Sequence, residues 1–280
     1  MLRAASVRVL DDRDLAAVLD VLNRDPVANV FVQSRVEAVG LQPWRLGAEM
    51  WGHGQDGRLT GLCYAGANLV PVLAEGGALR AFAERARRQG RRCSSIVGAA
   101  EMVGPLWDQL EPSWGAARDV RPCQPLLVAD REPEVAPDPG VRRVRPDEID
   151  VLLPASIAMF TEEVGVSPVA ADGGNLYRAR VAELLHAQRS FARIDDGEVV
   201  FKAEVGAVTA AACQIQGVWV APGLRGQGLS VAGMAAVVVA CLREIAPAVS
   251  LYVNDFNAPA RRAYERVGFR QVGTFMSVLF

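Results

Sequence analysis

Apolar positions recur along the chain at two spacings, and the switches between them predict its elements. Leu15, Val18, Leu19 and Leu22 fall three and four apart behind Asp11-Asp12, which predicts a helix with an aspartate cap, and a short strand at Val7 to Leu10 precedes it. Asp25-Pro26 opens a second predicted helix, stopped by Gly40. Three runs rich in strand-forming residues, Ala48 to His53, Leu59 to Tyr64 and Asn68 to Leu73, are punctuated by Asp56-Gly57 and Gly66 and predict a meander. A helix over Ala78 to Gln89, a strand over Ser94 to Val97, a helix over Glu101 to Leu110 and a strand near Gln124 to Ala129 complete this half.

The second half repeats the order. Val141 to Val144 is again a strand, and Pro146-Asp147-Glu148 leads a helix that carries Ile149, Leu152 and Leu153 and runs through Phe160. A helix from Asn175 turns Tyr177, Val181, Leu184 and Leu185 inward. Ser190 to Ile194 and Glu198 to Val205 form a hairpin around Asp195-Asp196-Gly197. A sequence echo supports the parallel, because Leu10-Asp11-Asp12-Arg13-Asp14-Leu15 lines up with Val144-Arg145-Pro146-Asp147-Glu148-Ile149. Asp130 to Gly140, with Pro133, Pro137 and Pro139, reads as a semi-rigid linker. The pattern predicts two α+β units in tandem, residues 1–130 and 141–280 joined by 131–140.

Composition narrows the class. At 280 residues, 51% hydrophobic and net charge −2, the chain can bury a large core, and it shows no basic footprint for nucleic acid. Met1 to Leu22 is charged throughout and no apolar run reaches membrane-spanning length, so neither a signal peptide nor a membrane partner is expected and the location predicted is cytoplasmic. Lys202 is the one lysine among many arginines, the mark of a high-GC bacterial genome. Cys63, Cys93, Cys123, Cys213 and Cys241 stand singly with only His53 and His186 as imidazoles, which predicts reduced thiols and no metal site.

Chemistry concentrates between Cys213 and Leu242. Ile215 to Val220 is a strand ending at Pro222-Gly223, Val231 to Leu242 is a buried helix, and Arg225-Gly226-Gln227-Gly228-Leu229-Ser230 forms a glycine elbow between them. Free amides in a helix's first turn, backed by the helix dipole, make an anion site suited to a diphosphate. A P-loop is excluded by the absence of a Gly-Lys-Ser/Thr ending, and a dinucleotide fingerprint by the lack of an acidic residue ending a following strand. Further on, Leu251-Tyr252-Val253-Asn254 reads as a strand, and Asn257 caps a helix that contains Pro259 and Tyr264 and ends at Gly268.

The elbow Arg225-Gly226-Gln227-Gly228-Leu229-Ser230 resembles the pyrophosphate loop of the GNAT superfamily of acyl-CoA-dependent N-acyltransferases, with Ser230 where a smaller residue is usual. The segment Asn257 to Phe269 looks like that superfamily's last helix. The resemblance implies two GNAT-like units, each a mixed, mostly antiparallel sheet flanked by helices. It implies acetyl-CoA bound by Arg225, Gly226, Gln227, Gly228, Leu229 and Ser230, by Asn254 and Asn257, and by the strand amides of Val218, Trp219 and Val220. Tyr264 then returns the proton to the departing thiolate. The acceptor is an amine, and Glu162 and Glu163, in the segment joining the first two helices, are candidates to attract it.

No base is fixed by spacing. Many relatives carry a Glu on the fourth strand where this chain has Gln214, so Glu204, or Glu162 or Glu163 through water, are the substitutes. In the first half, Pro71 to Ala78 offers Glu75 and no arginine before its glycines, so the coenzyme is expected only in the second. An acyltransferase is thus predicted, monomeric or homodimeric, with a catalytically silent acyl-CoA-binding or regulatory module as the alternative.

Overall fold

Arg8 and Arg142 each reach six residues ahead to a carboxylate that begins a helix. Arg8 Nη1 donates to Asp14 Oδ2 at 2.7 Å, and Asp14 Oδ2 also accepts from Asp11 N at 3.1 Å. Arg142 donates to Glu148 at 2.7 and 2.8 Å, and Glu148 Oε2 accepts from Arg145 N at 2.9 Å. The echo in the sequence is therefore the same device built twice, a carboxylate closing a turn of 3-10 helix while an arginine from the preceding strand holds it.

The Arg142 hydrogen bonds hold the Glu148 carboxyl down at about 2, well below its ordinary 4.5. A depressed carboxylate contributes stability above its unfolded value and loses it as pH falls. Glu148→Gln should cost about 1 kcal/mol at pH 7, as loss of a helix cap does. The gap to wild type should close as pH falls from 4.5 toward 2, the window set by that shift. Urea melts across a pH series check this, and a gap that stays constant would count against it.

The computed structural model describes residues 6–55, 58–170 and 173–280; the predicted Asp56-Gly57 turn lies outside them. By contacts the chain forms two units, one of residues 1–127, 252–256 and 271–280, the other of 128–251 and 257–270. Each carries a mixed sheet flanked by helices.

The first unit opens with β1 (Ser6–Val9), α1 (Leu15–Leu22), α2 (Val30–Val39) and α3 (Pro43–Leu46). The second helix starts later than Asp25-Pro26 suggests, because the Asp25 carboxylate accepts from Ala28 N at 2.9 Å and spends those residues on a turn. The short α3, closed by Gly47, is too brief for periodicity to reveal. Strands β2 (Glu49–Gln55), β3 (Arg58–Ala65) and β4 (Asn68–Val72) form the antiparallel meander, followed by α4 (Gly76–Gln89), β5 (Ser95–Ala99), α5 (Ala100–Trp114) and β6 (Asp119–Ala129). Alternation along β3 sorts the core onto two faces. Leu62 and Tyr64 pack with Val18, Leu22 and Val36, while Cys63 packs with Phe82, Leu106 and Trp107.

In the second unit β7 (Arg142–Arg143) leads through the 3-10 turn to α6 (Ile149–Val164), and then come α7 (Asn175–His186), β8 (Ser190–Asp195) and β9 (Glu198–Val208). Next are β10 (Cys213–Val220), α8 (Leu229–Glu244), β11 (Val249–Tyr252) and α9 (Ala258–Val267), after which the chain returns to the first unit with β12 (Arg270–Leu279). The chain between β8 and β9 has positive φ at Asp196 and Gly197, as a two-residue hairpin of the predicted kind requires. Helix α6 runs on past Phe160 to Val164, so Glu162 and Glu163 sit on its last turn and not in a loop.

Two placements differ from a division in the proline-rich segment. Residues 130–140 belong with the second unit, to which they are tied by Arg270 on Asp130 (2.8 Å), Arg243 on Glu132 (2.6 Å) and Asp138 N on Ala232 O (3.0 Å). Strand β12, which the motif pattern does not mark, pairs antiparallel with β5 of the first unit, Phe275 facing Ala99 and Leu279 facing Ser95. Its buried Met276 and Val278 complete that unit's core. The proline pattern missed both because it reports chain stiffness, whereas unit membership follows from pairing and burial.

Candidate active site

The site begins with two parallel strands that part. Strands β10 and β11 pair only at Cys213 with Val249 and Gln214 with Ser250, at the start of both. Beyond that point β10 runs on to Val220 with its other edge on β9. Within that edge Gln216 faces Glu204 and Trp219 faces Lys202, so Gly217 and Val218 together oppose Ala203 in a β-bulge. Gly217 has φ +60, a left-handed value that a side chain makes costly.

From Val220 the chain turns through Pro222–Leu224 to the glycine elbow. Gly226 and Gly228 take φ +78 and +86, and a Cβ at either would meet nothing within 4 Å, so the loop is open on the side the backbone presents. Val231 N donates to Gly228 O at 3.0 Å, which leaves the amides of Leu229 and Ser230 with no helical acceptor ahead of them. Helix α8 is drawn tightly onto the sheet at Gly233, where a Cβ would lie 2.9 Å from the Phe201 ring. That contact fixes where the helix's positive end points.

These elements enclose a cavity of ≈ 550 Å³. It is lined by Val218, Trp219 and Val220 of β10, by Arg225, Gly226, Gly228, Leu229 and Ser230, and by Asn257, Tyr264, Arg262 and Arg266 at and along α9, with Glu162 of α6 on its wall. Asn257 Oδ1 accepts from Ala260 N at 3.3 Å and caps α9, and Pro259 sits in the first turn. Tyr264 is buried at 6% exposure and packs edge-on against Phe269. Burial, helped by the Glu163 carboxylate, pushes the phenol's pKa up, so it stays protonated through the physiological range.

Residues 158–269 match the model of the acetyltransferase (GNAT) family. The chain carries a GNAT acetyltransferase domain. Residues 48–152, ahead of it, match a domain of unknown function (DUF4081). A search of the curated proteins returned no match. Among solved structures, the chain is similar in fold to a GCN5-related N-acetyltransferase from Sphaerobacter thermophilus (17% identity, 98% of this chain and 95% of that one, TM-score 0.62). It is also similar to a tandem GNAT protein from the clavulanic acid biosynthesis pathway, solved without AcCoA (16% identity, 98% of each chain, TM-score 0.56). A GNAT-family acetyltransferase from Colwellia psychrerythraea aligns over 98% of this chain and 99% of that one, at 12% identity and TM-score 0.54.

Within the GNAT domain, most of the residues singled out from sequence come together on the cavity, but four do not. Asn254 Oδ1 accepts from Gln124 Nε2 at 2.9 Å, and Gln124 Oε1 in turn accepts from Ser277 at 2.7 Å. Gln227 turns its amide back toward Gly223 O at 3.4 Å. Glu163 is off the cavity wall, and its charge acts on Tyr264 and Tyr177. Glu204 is buried, and its Oε1 lies 2.6 Å from Lys202 Nζ.

Arg225 and Glu162 reach the wall but engage each other, Nη2 to Oε2 at 2.7 Å, while Glu162 Oε1 accepts from Trp219 Nε1 at 3.1 Å. Both charged groups are nearly half exposed, so the pair is weak and open to exchange. Sequence reasoning passed over Arg262 and Arg266, although their i,i+4 spacing on α9 already put them on one face beside the elbow.

The first unit repeats the parting of parallel strands, since β4 and β5 pair only at Asn68 with Ser95 and Leu69 with Ile96. There the gap's chemistry differs. Ala74 N meets the Met102 thioether at 3.2 Å, and Glu75, an anion, stands at the N-cap of α4. Among the described residues no group of three or more His, Cys, Asp or Glu is placed to hold a metal ion. None of the helices described is long and apolar enough to cross a membrane.

Proposed function

We propose that the GNAT domain transfers an acetyl group from acetyl-CoA to a primary amine, on a small molecule or a protein, by direct attack in a ternary complex. One juxtaposition supports it most: the strand edge at Val218 to Val220, the open amides of Leu229 and Ser230, and the buried phenol of Tyr264 face one cavity. In this reading the amides from Gly226 to Ser230 grip the diphosphate, and Arg225 exchanges Glu162 for it. Arg262 and Arg266 take the remaining phosphate charge, and Asn257 borders the pantetheine arm.

A strand amide around Val218 to Val220 polarises the thioester carbonyl, the amine nitrogen attacks the carbonyl carbon, and the carbon–sulfur bond breaks. Tyr264 supplies the proton that converts the leaving thiolate to thiol. The proton lost by the nitrogen passes through water to Glu162 or Glu163, since the Lys202 ammonium already holds Glu204. That clamp, together with Gln214 on the fourth-strand counterpart, favours the second reading, an acyl-CoA-binding module without turnover. Thiol release measured over a panel of amines separates the two. Amine-dependent release supports transfer; acetyl-CoA binding by calorimetry with no amine raising release would leave the binding module.

A further inference from the structure

Lys202, the one lysine of the sequence, is fully buried on β9. Its neighbour Phe201 packs on Gly233 of α8, so by alternation Lys202 points to the other face of the sheet, where Met159 of α6 lies. There its Nζ donates to Glu204 Oε1 at 2.6 Å and to Gly217 O at 3.0 Å. A Cβ on Gly217 would stand 3.2 Å from Nζ, 3.2 Å from Glu204 Oε2 and 3.0 Å from Met159 Cε, so the bulge rests directly on the ion pair. A buried ion pair is a poor source of stability, because desolvating both charges offsets their attraction. Its placement under a bulge points to another use.

That use follows from the planarity of the peptide. Gly217 C=O and Val218 N–H belong to one trans unit and point in opposite directions. Holding the carbonyl down on the ammonium sends the Val218 N–H the other way, toward the cavity that Val218 lines. We infer that Lys202, clamped by Glu204, is a positioning residue that aims the Val218 N–H at the thioester carbonyl of the acyl donor. The inference rests on the acyl-transfer reading above and names one donor within the stretch Val218 to Val220. Lys202 touches no substrate in this scheme; it acts through the peptide it orients. Glu204 acquires a role other than that of base, since it fixes the ammonium.

Two measurements test this on protein whose wild type turns over acetyl-CoA; absence of wild-type turnover would count against the acyl-transfer reading and not this step. First, lysine labelled with 15N at the side chain gives one resonance from the whole chain. It should shift when acetyl-CoA is added and not when CoA is added, because only the thioester carbonyl loads the 217–218 peptide. Equal responses to the two ligands would overturn the proposal without any substitution.

Second, Lys202→Met combined with Glu204→Met replaces the pair by apolar side chains, a change that buried ion pairs often tolerate. The double variant should bind acetyl-CoA within about 3-fold of wild type while kcat falls about 100-fold, the scale of losing one oxyanion donor. A wild-type kcat, or a loss confined to KM, would sink it.

Discussion

Gly228→Glu should abolish acetyl-CoA binding, weakening it by at least about 100-fold, and with it all thiol release. Two effects add. At φ +86 a side chain costs about 1–2 kcal/mol of backbone strain, which is felt by the free protein. The larger effect is charge: the new carboxylate stands beside the amides of Leu229 and Ser230, where a diphosphate is to sit, and two anions within about 4 Å repel by about 4 kcal/mol at an effective dielectric of 20. Gly228→Ala separates the terms, because it carries the strain without the charge. Calorimetry should find the alanine variant binding measurably and the glutamate variant not at all, with both melting cooperatively. Undiminished affinity in Gly228→Glu would refute the diphosphate site.

Tyr264→Phe should leave acetyl-CoA affinity within about 2-fold and lower kcat about 100-fold, within the usual range for removing a positioned acid. The ring is buried against Phe269, and the substitution keeps that packing while deleting only the hydroxyl. The raised pKa matters for the shape of the result. A phenol held protonated does not titrate near neutrality, so wild-type activity should show no loss on the alkaline side from this group below its ordinary value of 10. Stopped-flow thiol release with a saturating amine measures kcat directly. A variant that releases thiol at the wild-type rate would leave Tyr264 as core packing.

How much of this was legible in the sequence depends on the range over which each signal acts. The elbow from Arg225 to Ser230 and the capped helix from Asn257 to Gly268 are local devices whose backbone conformations are dictated by their own glycines, proline and asparagine, and both were readable. The repeated Arg8–Asp14 and Arg142–Glu148 turns were readable as an echo for the same reason. Strand β12 was not, because its place beside β5 is set by pairing across most of the chain's length.

Asn254 illustrates a different limit. It stands at the position the motif suggests, but its amide is taken by Gln124, a residue no local pattern connects to it. Lys202 was noted only as a compositional oddity. What gives it meaning is the bulge that lets one carbonyl of β10 turn toward β9, and no residue-type pattern announces a bulge. Glu204 likewise looked like a free carboxylate until its partner two residues away was seen on the same face.

The most direct test is a crystal structure with acetyl-CoA. Density is expected for the diphosphate on the amides from Gly226 to Ser230 and for the thioester oxygen within hydrogen-bonding distance of the Val218 N–H, with Arg225 turned away from Glu162. Density for the nucleotide beside Glu75 in the first unit, or an elbow filled by the protein's own atoms, would contradict it.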